Sequence, residues 1–107
     1  MAFWNLENIQ LEPFRPGIAS RAEIGENLTM VCMEIGPDKE DPGHRHPFDQ
    51  CGMILAGRLE MLIGEEKRML AAGEAYFIPA GLHHGWKTFA GPVRIFDITP
   101  KQPPPCA

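Results

Sequence analysis

The sequence predicts an all-β fold of the sandwich or barrel type, and three observations predict it. Eleven glycines and eleven prolines break the 107 residues into segments of about five to eight, the length of strands rather than helices. Most segments end at a turn signal: Gly36-Pro37, Gly57, Gly64, Ala72-Gly73, Pro79-Ala80-Gly81 or Gly91-Pro92. The spacing of those signals, with several short segments in a row and only imperfect alternation within them, suits a single β-barrel or sandwich.

Taken in order, the first strand is Leu28 to Ile35, closed by Gly36-Pro37. Gln50 to Ala56 and Leu59 to Ile63 follow, separated by Gly57 and closed by Gly64, as a hairpin pair would be. The run Glu65-Glu66-Lys67-Arg68 reads as a solvated hairpin tip, after which Lys67 to Leu70 returns and ends at Ala72-Gly73. Ala75 to Ile78 stops at Pro79, Gly85 to Phe89 starts after the Pro-x-Gly turn, and Val93 to Thr99 follows Gly91-Pro92. Met30-Val31-Cys32-Met33 and Gly52-Met53-Ile54-Leu55-Ala56 are apolar on both faces, so one face lines the interior and the other meets a second layer or a second subunit. A homodimer is the expectation. Residues 1–26, with Phe3, Trp4, Leu6, Ile9, Leu11 and Phe14 but no sustained period, read as an N-terminal arm or edge strand. Residues 27–100 then form the barrel, and the proline-rich residues 101–107 a tail that cannot join a ladder.

The length fits one domain with a hydrophobic core of its own. The ten basic residues are dispersed and the net charge is −4, which predicts no nucleic-acid partner. No apolar run approaches the roughly 18 residues of a membrane span, and the N-terminus lacks the basic-then-apolar order of a signal peptide. The expected location is the cytoplasm. Cys32, Cys51 and Cys106 are odd in number and widely spaced, so they read as free thiols, the first two as small core residues.

The chemistry concentrates in Gly43-His44-Arg45-His46-Pro47-Phe48-Asp49-Gln50 and Pro79-Ala80-Gly81-Leu82-His83-His84. His44 and His46 are two apart, and on an extended chain both imidazoles point to one face. Gln50 has the same parity, provided that the chain stays extended. His84 on a neighbouring strand completes a four-ligand set for a divalent metal ion, and His83 points the other way. Phe48 and Trp86 share these parities and can wall the site. Tyr76 could orient a substrate or be an ordinary strand residue, and Arg15 and Arg21 read as solvated rather than as carboxylate binders.

These residues resemble the two motifs of the cupin superfamily. His44-x-His46, three residues, Gln50, six residues and Gly57 fit the first, with Gln in place of Glu and Asp38 where the first Gly is usual. Gly73, Pro79, Gly81 and His84 fit the second, with Thr88 in the place of Asn, and fifteen residues, Arg58 to Ala72, separate the two. The resemblance implies a single-domain jelly roll, or double-stranded β-helix, that holds a divalent ion (Zn, Ni, Mn or Fe) for a small-molecule ligand or substrate. Members with three His and one Gln act in pectin degradation, by ring opening of unsaturated uronates, and in polyketide cyclisation. The chain's Phe96-Asp97-Ile98-Thr99-Pro100 partly resembles an Asp-x-Phe-x-Pro ending that supplies an acidic group in the pectin-degradation members, which makes Asp97 the candidate catalytic acid or base. The competing role for Asp97 is a strand cap or a partner of Arg58 or Arg94. Neutral ligands leave the ion its full charge and favour Lewis-acid isomerisation, ring opening or cyclisation of an oxygen-rich compound such as a sugar acid. The alternatives are an Fe(II) dioxygenase and a ligand-binding sensor or storage module.

Overall fold

Short strands whose alternate residues are apolar must bury one face, and two such sheets stacked face to face satisfy each other. The computed structural model of the chain describes residues 3–101. Among them are β1 (Glu12–Arg15), β2 (Ile18–Ile24), β3 (Leu28–Ile35), β4 (Glu40–His44), β5 (Gln50–Ala56), β6 (Arg58–Ile63), β7 (Glu66–Ala71), β8 (Ala75–Ile78), β9 (His84–Lys87) and β10 (Val93–Pro100). They form a six-stranded sheet, ordered β1-β2-β3-β10-β5-β8, and a four-stranded one, β4-β9-β6-β7, with every pairing antiparallel. The fold class is therefore the all-β, single-domain architecture that the segment pattern predicts, and no helix long and apolar enough to cross a membrane occurs among the described residues.

The core lies between the sheets. Ile35, Ile54, Leu59, Ile78 and Val93 are almost fully buried there, with Ile18, Met61, Leu70, Tyr76 and Ile95 around them. Inward positions run from this apolar end towards a polar one: Val93, Ile95 and Asp97 along β10, and Ile54, Gly52 and Gln50 along β5. The polar end is where the functional candidates collect.

One strand, β4, is absent from the pattern reading, and two more, β1 and β2, stand where it has only an arm or an edge strand. β4 carries Glu, Asp, Pro, Gly and His, with no apolar residue to signal it and a register break between Asp41 and His44. β1 and β2 form a hairpin within residues 12–24, β1 at the sheet edge and β2 paired to β3 along its whole length. β2 alternates Ile18, Ser20, Ala22 and Ile24 on one face, too weakly apolar to stand out. Ahead of the hairpin, Trp4 meets Phe96 edge-on, with ring centroids 6.5 Å apart, and the Leu6 carbonyl accepts a bond from Arg94. This segment is thus part of the second layer over the outward face of β10.

Two departures from the family pattern have physical explanations. Asp38, where a Gly is usual, adopts φ of +56°, a left-handed conformation that Asp tolerates better than most residues. Thr88, in place of Asn, is a buried clip: its hydroxyl accepts from the Lys39 N–H at 2.9 Å and donates to the Gly36 carbonyl at 2.8 Å. It fastens β9 to the β3–β4 turn and takes no part in the site. Cys32 is fully buried and Cys51 partly so, both as free thiols, and Cys106 lies outside the described residues.

Candidate metal centre

His44 ends β4, His84 opens β9, and the two are opposite each other in the ladder. His46 lies just beyond β4, so the trio comes from one end of the four-stranded sheet. The rings of His44 and His84 have centroids 4.4 Å apart, those of His46 and His84 4.6 Å, and those of His44 and His46 5.4 Å. One nitrogen from each falls within 4.8 Å of the others, a spacing that a single ion can bridge.

The hydrogen bonds select which nitrogen that is. Nδ1 of His84 donates to the Leu82 carbonyl at 3.0 Å, and Nδ1 of His46 faces the Phe48 carbonyl at 3.4 Å. Nδ1 of His44 lies 3.0 Å from Oδ2 of Asp41. Carbonyl and carboxylate oxygens only accept, so each Nδ1 carries the proton and each Nε2 keeps a lone pair. His84 Nε2 is buried with no hydrogen-bond partner among the described residues, a costly state for a polar atom unless something else binds it. Burial pushes the His84 pKa below the usual histidine value, opposed in part by the bond to Leu82, and so favours the neutral, ligating form. The donor chemistry fits a divalent ion.

Gln50 arrives by a different route from the one its parity suggests. The chain leaves extended structure after His44, turns through Pro47 and Phe48, and re-enters as β5 in the other sheet. Gln50 therefore approaches from across the sandwich, and the continuous-strand reading of His44 to Gln50 is corrected. Its Nε2 donates to Oδ2 of Asp97 at 2.7 Å, which leaves its carbonyl oxygen as the end with a lone pair to offer a metal. Asp97 also accepts at Oδ1 from the Tyr76 hydroxyl at 2.6 Å. Neither expected arginine contacts it: Arg94 pairs with Glu34 at 3.3 Å, and no ion pair links Arg58 to Asp97 among the described residues. Burial raises the Asp97 pKa, while the Tyr76 and Gln50 bonds act in the opposite direction. The same burial, with the neighbouring carboxylate, raises Tyr76 far above the usual tyrosine value, so its phenol stays a donor.

Phe48 stacks on His46 at 4.0 Å between ring centroids, held there by the bend after His46 rather than by strand parity, whereas Trp86 packs against the core. His83 projects away from the trio and lies over Gly43, the site of any Cβ there being filled by its ring. Asp41 is the functional candidate that sequence reasoning missed. Its signal was a carboxylate three residues before His44.

The Cupin domain family model matches residues 31–99. The chain is 33% identical over 79 residues to "Pectin degradation protein KdgF" of Dickeya dadantii (strain 3937), a match covering 72% of each. It superposes on the structure of KdgF from Halomonas sp. with a TM-score of 0.80 and 25% identity, covering 95% of this chain and 94% of that one. It also superposes on the polyketide cyclase RemF from Streptomyces resistomycificus with a TM-score of 0.81, at 22% identity and with 98% and 82% covered, a likeness of fold alone. With two antiparallel sheets, a histidine trio at one end of the sandwich and a family match over most of its length, the chain belongs to the cupin family.

Proposed function

We propose that the chain is a metal-dependent enzyme that opens or isomerises a small oxygen-rich compound of the unsaturated sugar-acid class. The observation that carries this reading is the convergence of three imidazole lone pairs beside a buried carboxylate held by two donors. The similarity to KdgF, a pectin degradation protein, supports the substrate class. His44, His46, His84 and Gln50 are the proposed ligands of a divalent Zn, Ni, Mn or Fe ion. Four neutral donors leave that ion its full charge, so that when bound it supplies Lewis-acid polarisation of a substrate oxygen.

Asp97 is the proposed proton carrier. Tyr76 and Gln50 present donors to its two oxygens, which suits the carboxylate form, and burial strengthens that form as a base. An unsaturated uronate opens when its hemiacetal hydroxyl loses a proton, the ring C–O bond breaks and the resulting enolate takes a proton on carbon. The Asp97 carboxylate can accept the first proton and return it at the second step. Phe48 covers one face of the His46 ring.

Elemental analysis of untagged protein, with His46→Ala beside it, tests the site; loss of the uronate double-bond absorbance tests the reaction. About one ion per chain, absent from the variant, together with metal-dependent turnover, is the expected result. Oxygen uptake by an iron-loaded form would transfer the reading to a dioxygenase, and saturable binding without product to a sensor.

The proposal includes a homodimer formed through the outward face of the larger sheet. Phe77 and Leu28 are about 60% exposed there, and the half-buried Cys51, Ile98 and Met30 continue the row from Phe77. Phe77→Lys is expected to convert a dimer to a monomer in size-exclusion chromatography with light scattering. A wild-type monomer, or an unaltered dimer in the variant, counts against this face.

A further inference from the structure

Tyr76, Gly52 and Asp97 stand in one row across three strands, β8, β5 and β10. Strands two apart are about 9–10 Å from each other, yet Tyr76 reaches Asp97 directly because Gly52, between them, has no side chain. A Cβ on Gly52 would collide with the Tyr76 hydroxyl and lie 2.6 Å from the Phe96 carbonyl oxygen, a backbone atom that cannot step aside cheaply. The gap is therefore filled by the phenol alone. Two residues along β5, on the same face, is Gln50, bonded to the other oxygen of the same carboxylate.

We infer that Tyr76 is a positioning residue which, through Asp97, fixes the Gln50 amide with its oxygen turned towards the three histidines. The two ends of an amide differ in kind. The oxygen has lone pairs for a metal, whereas the NH2 group is a donor and offers none. A carboxylate only accepts, so Asp97 draws the NH2 end and leaves the oxygen for the site. It can do so only while its own plane is held. A single partner leaves a carboxylate free to turn about its last torsion, and the Tyr76 bond at 2.6 Å removes that freedom. The same geometry explains Gln rather than Glu at position 50, because a Glu there would present an acceptor to an acceptor.

This inference rests on the reading that the histidine trio and Gln50 hold a divalent ion, and the test separates the two. Cobalt(II) alone is titrated into the wild type, Tyr76→Phe, Gln50→Ala and the double variant, with affinity and visible d–d absorption as readouts. Tyr76→Phe is expected to weaken cobalt binding by roughly tenfold, the low end of the range for groups that contact a ligand directly, because it acts one bond further out, and to alter the absorption band. In the Gln50→Ala background the same change is expected to add nothing, because the residue through which it acts is gone. A wild type that binds no cobalt overturns the metal reading and this inference with it. Tight wild-type binding with an unchanged Tyr76→Phe affinity and spectrum overturns the inference alone. So does a Tyr76→Phe penalty that persists in full without Gln50.

Discussion

His84→Ala is expected to abolish tight binding of a divalent ion, while its neighbour His83→Ala is expected to leave binding intact. The two side chains are adjacent in sequence and opposite in direction. His84 is 4% exposed, its Nδ1 is engaged by Leu82, and its Nε2 faces the other two imidazoles without a partner. His83 lies over the backbone at Gly43 and contributes no atom to the cluster. Removing a direct ligand should exceed the roughly 10–100-fold loss that outer-shell changes produce. Metal content after dialysis, or calorimetric titration, reads the difference. Comparable losses in both variants would show that the trio has been assigned to the wrong histidine.

The second large effect is expected at Asp97. With metal supplied to saturation, Asp97→Asn should lower kcat on an unsaturated uronate by about 10²–10⁴-fold, the usual contribution of a positioned acid or base. Saturating metal matters because Asp97 also orients Gln50, and the assay must separate proton transfer from occupancy. The stability relation has a definite sign. A folded pKa raised above the unfolded one means that the folded chain binds this proton more tightly, so stability from this group falls as pH rises through and above the usual carboxylate range. Above that range the buried carboxylate thus contributes less to the fold than it does when protonated. Turnover at the wild-type rate in the metal-saturated variant would remove Asp97 from the chemistry.

Much of this was legible in the sequence, and the limits have physical causes. Leu28–Ile35, Gln50–Ala56 and Ala75–Ile78 have the bounds that their Gly and Pro punctuation predicts, because those strands feed the core directly. β4 was invisible, since its residues are chosen for a turn and a site rather than for burial. The gathering of His44, His46 and His84 followed from spacing and the motif framework. Gln50 reaches this end of the sandwich by a route that parity did not show, because parity holds only along one strand and says nothing of a chain that crosses between sheets. The Tyr76–Asp97 bond could not be read at all. It depends on a gap at Gly52, and a missing side chain leaves no pattern.

The place of β10 in the larger sheet bears on the order in which the molecule can assemble. β10 is inserted between β3 and β5, strands that precede it by dozens of residues and that each have a partner on one side only, β2 and β8, until it arrives. Such non-local closure puts the entropic cost of a long loop ahead of its reward. The hairpins β1–β2 and β6–β7 are local and can form early, and β4 and β9 can bring the histidines together without β10. Asp97 travels on the late strand. The histidine trio and the carboxylate thus belong to different stages of closure: the first needs only β4 and β9, the second the last strand of the larger sheet.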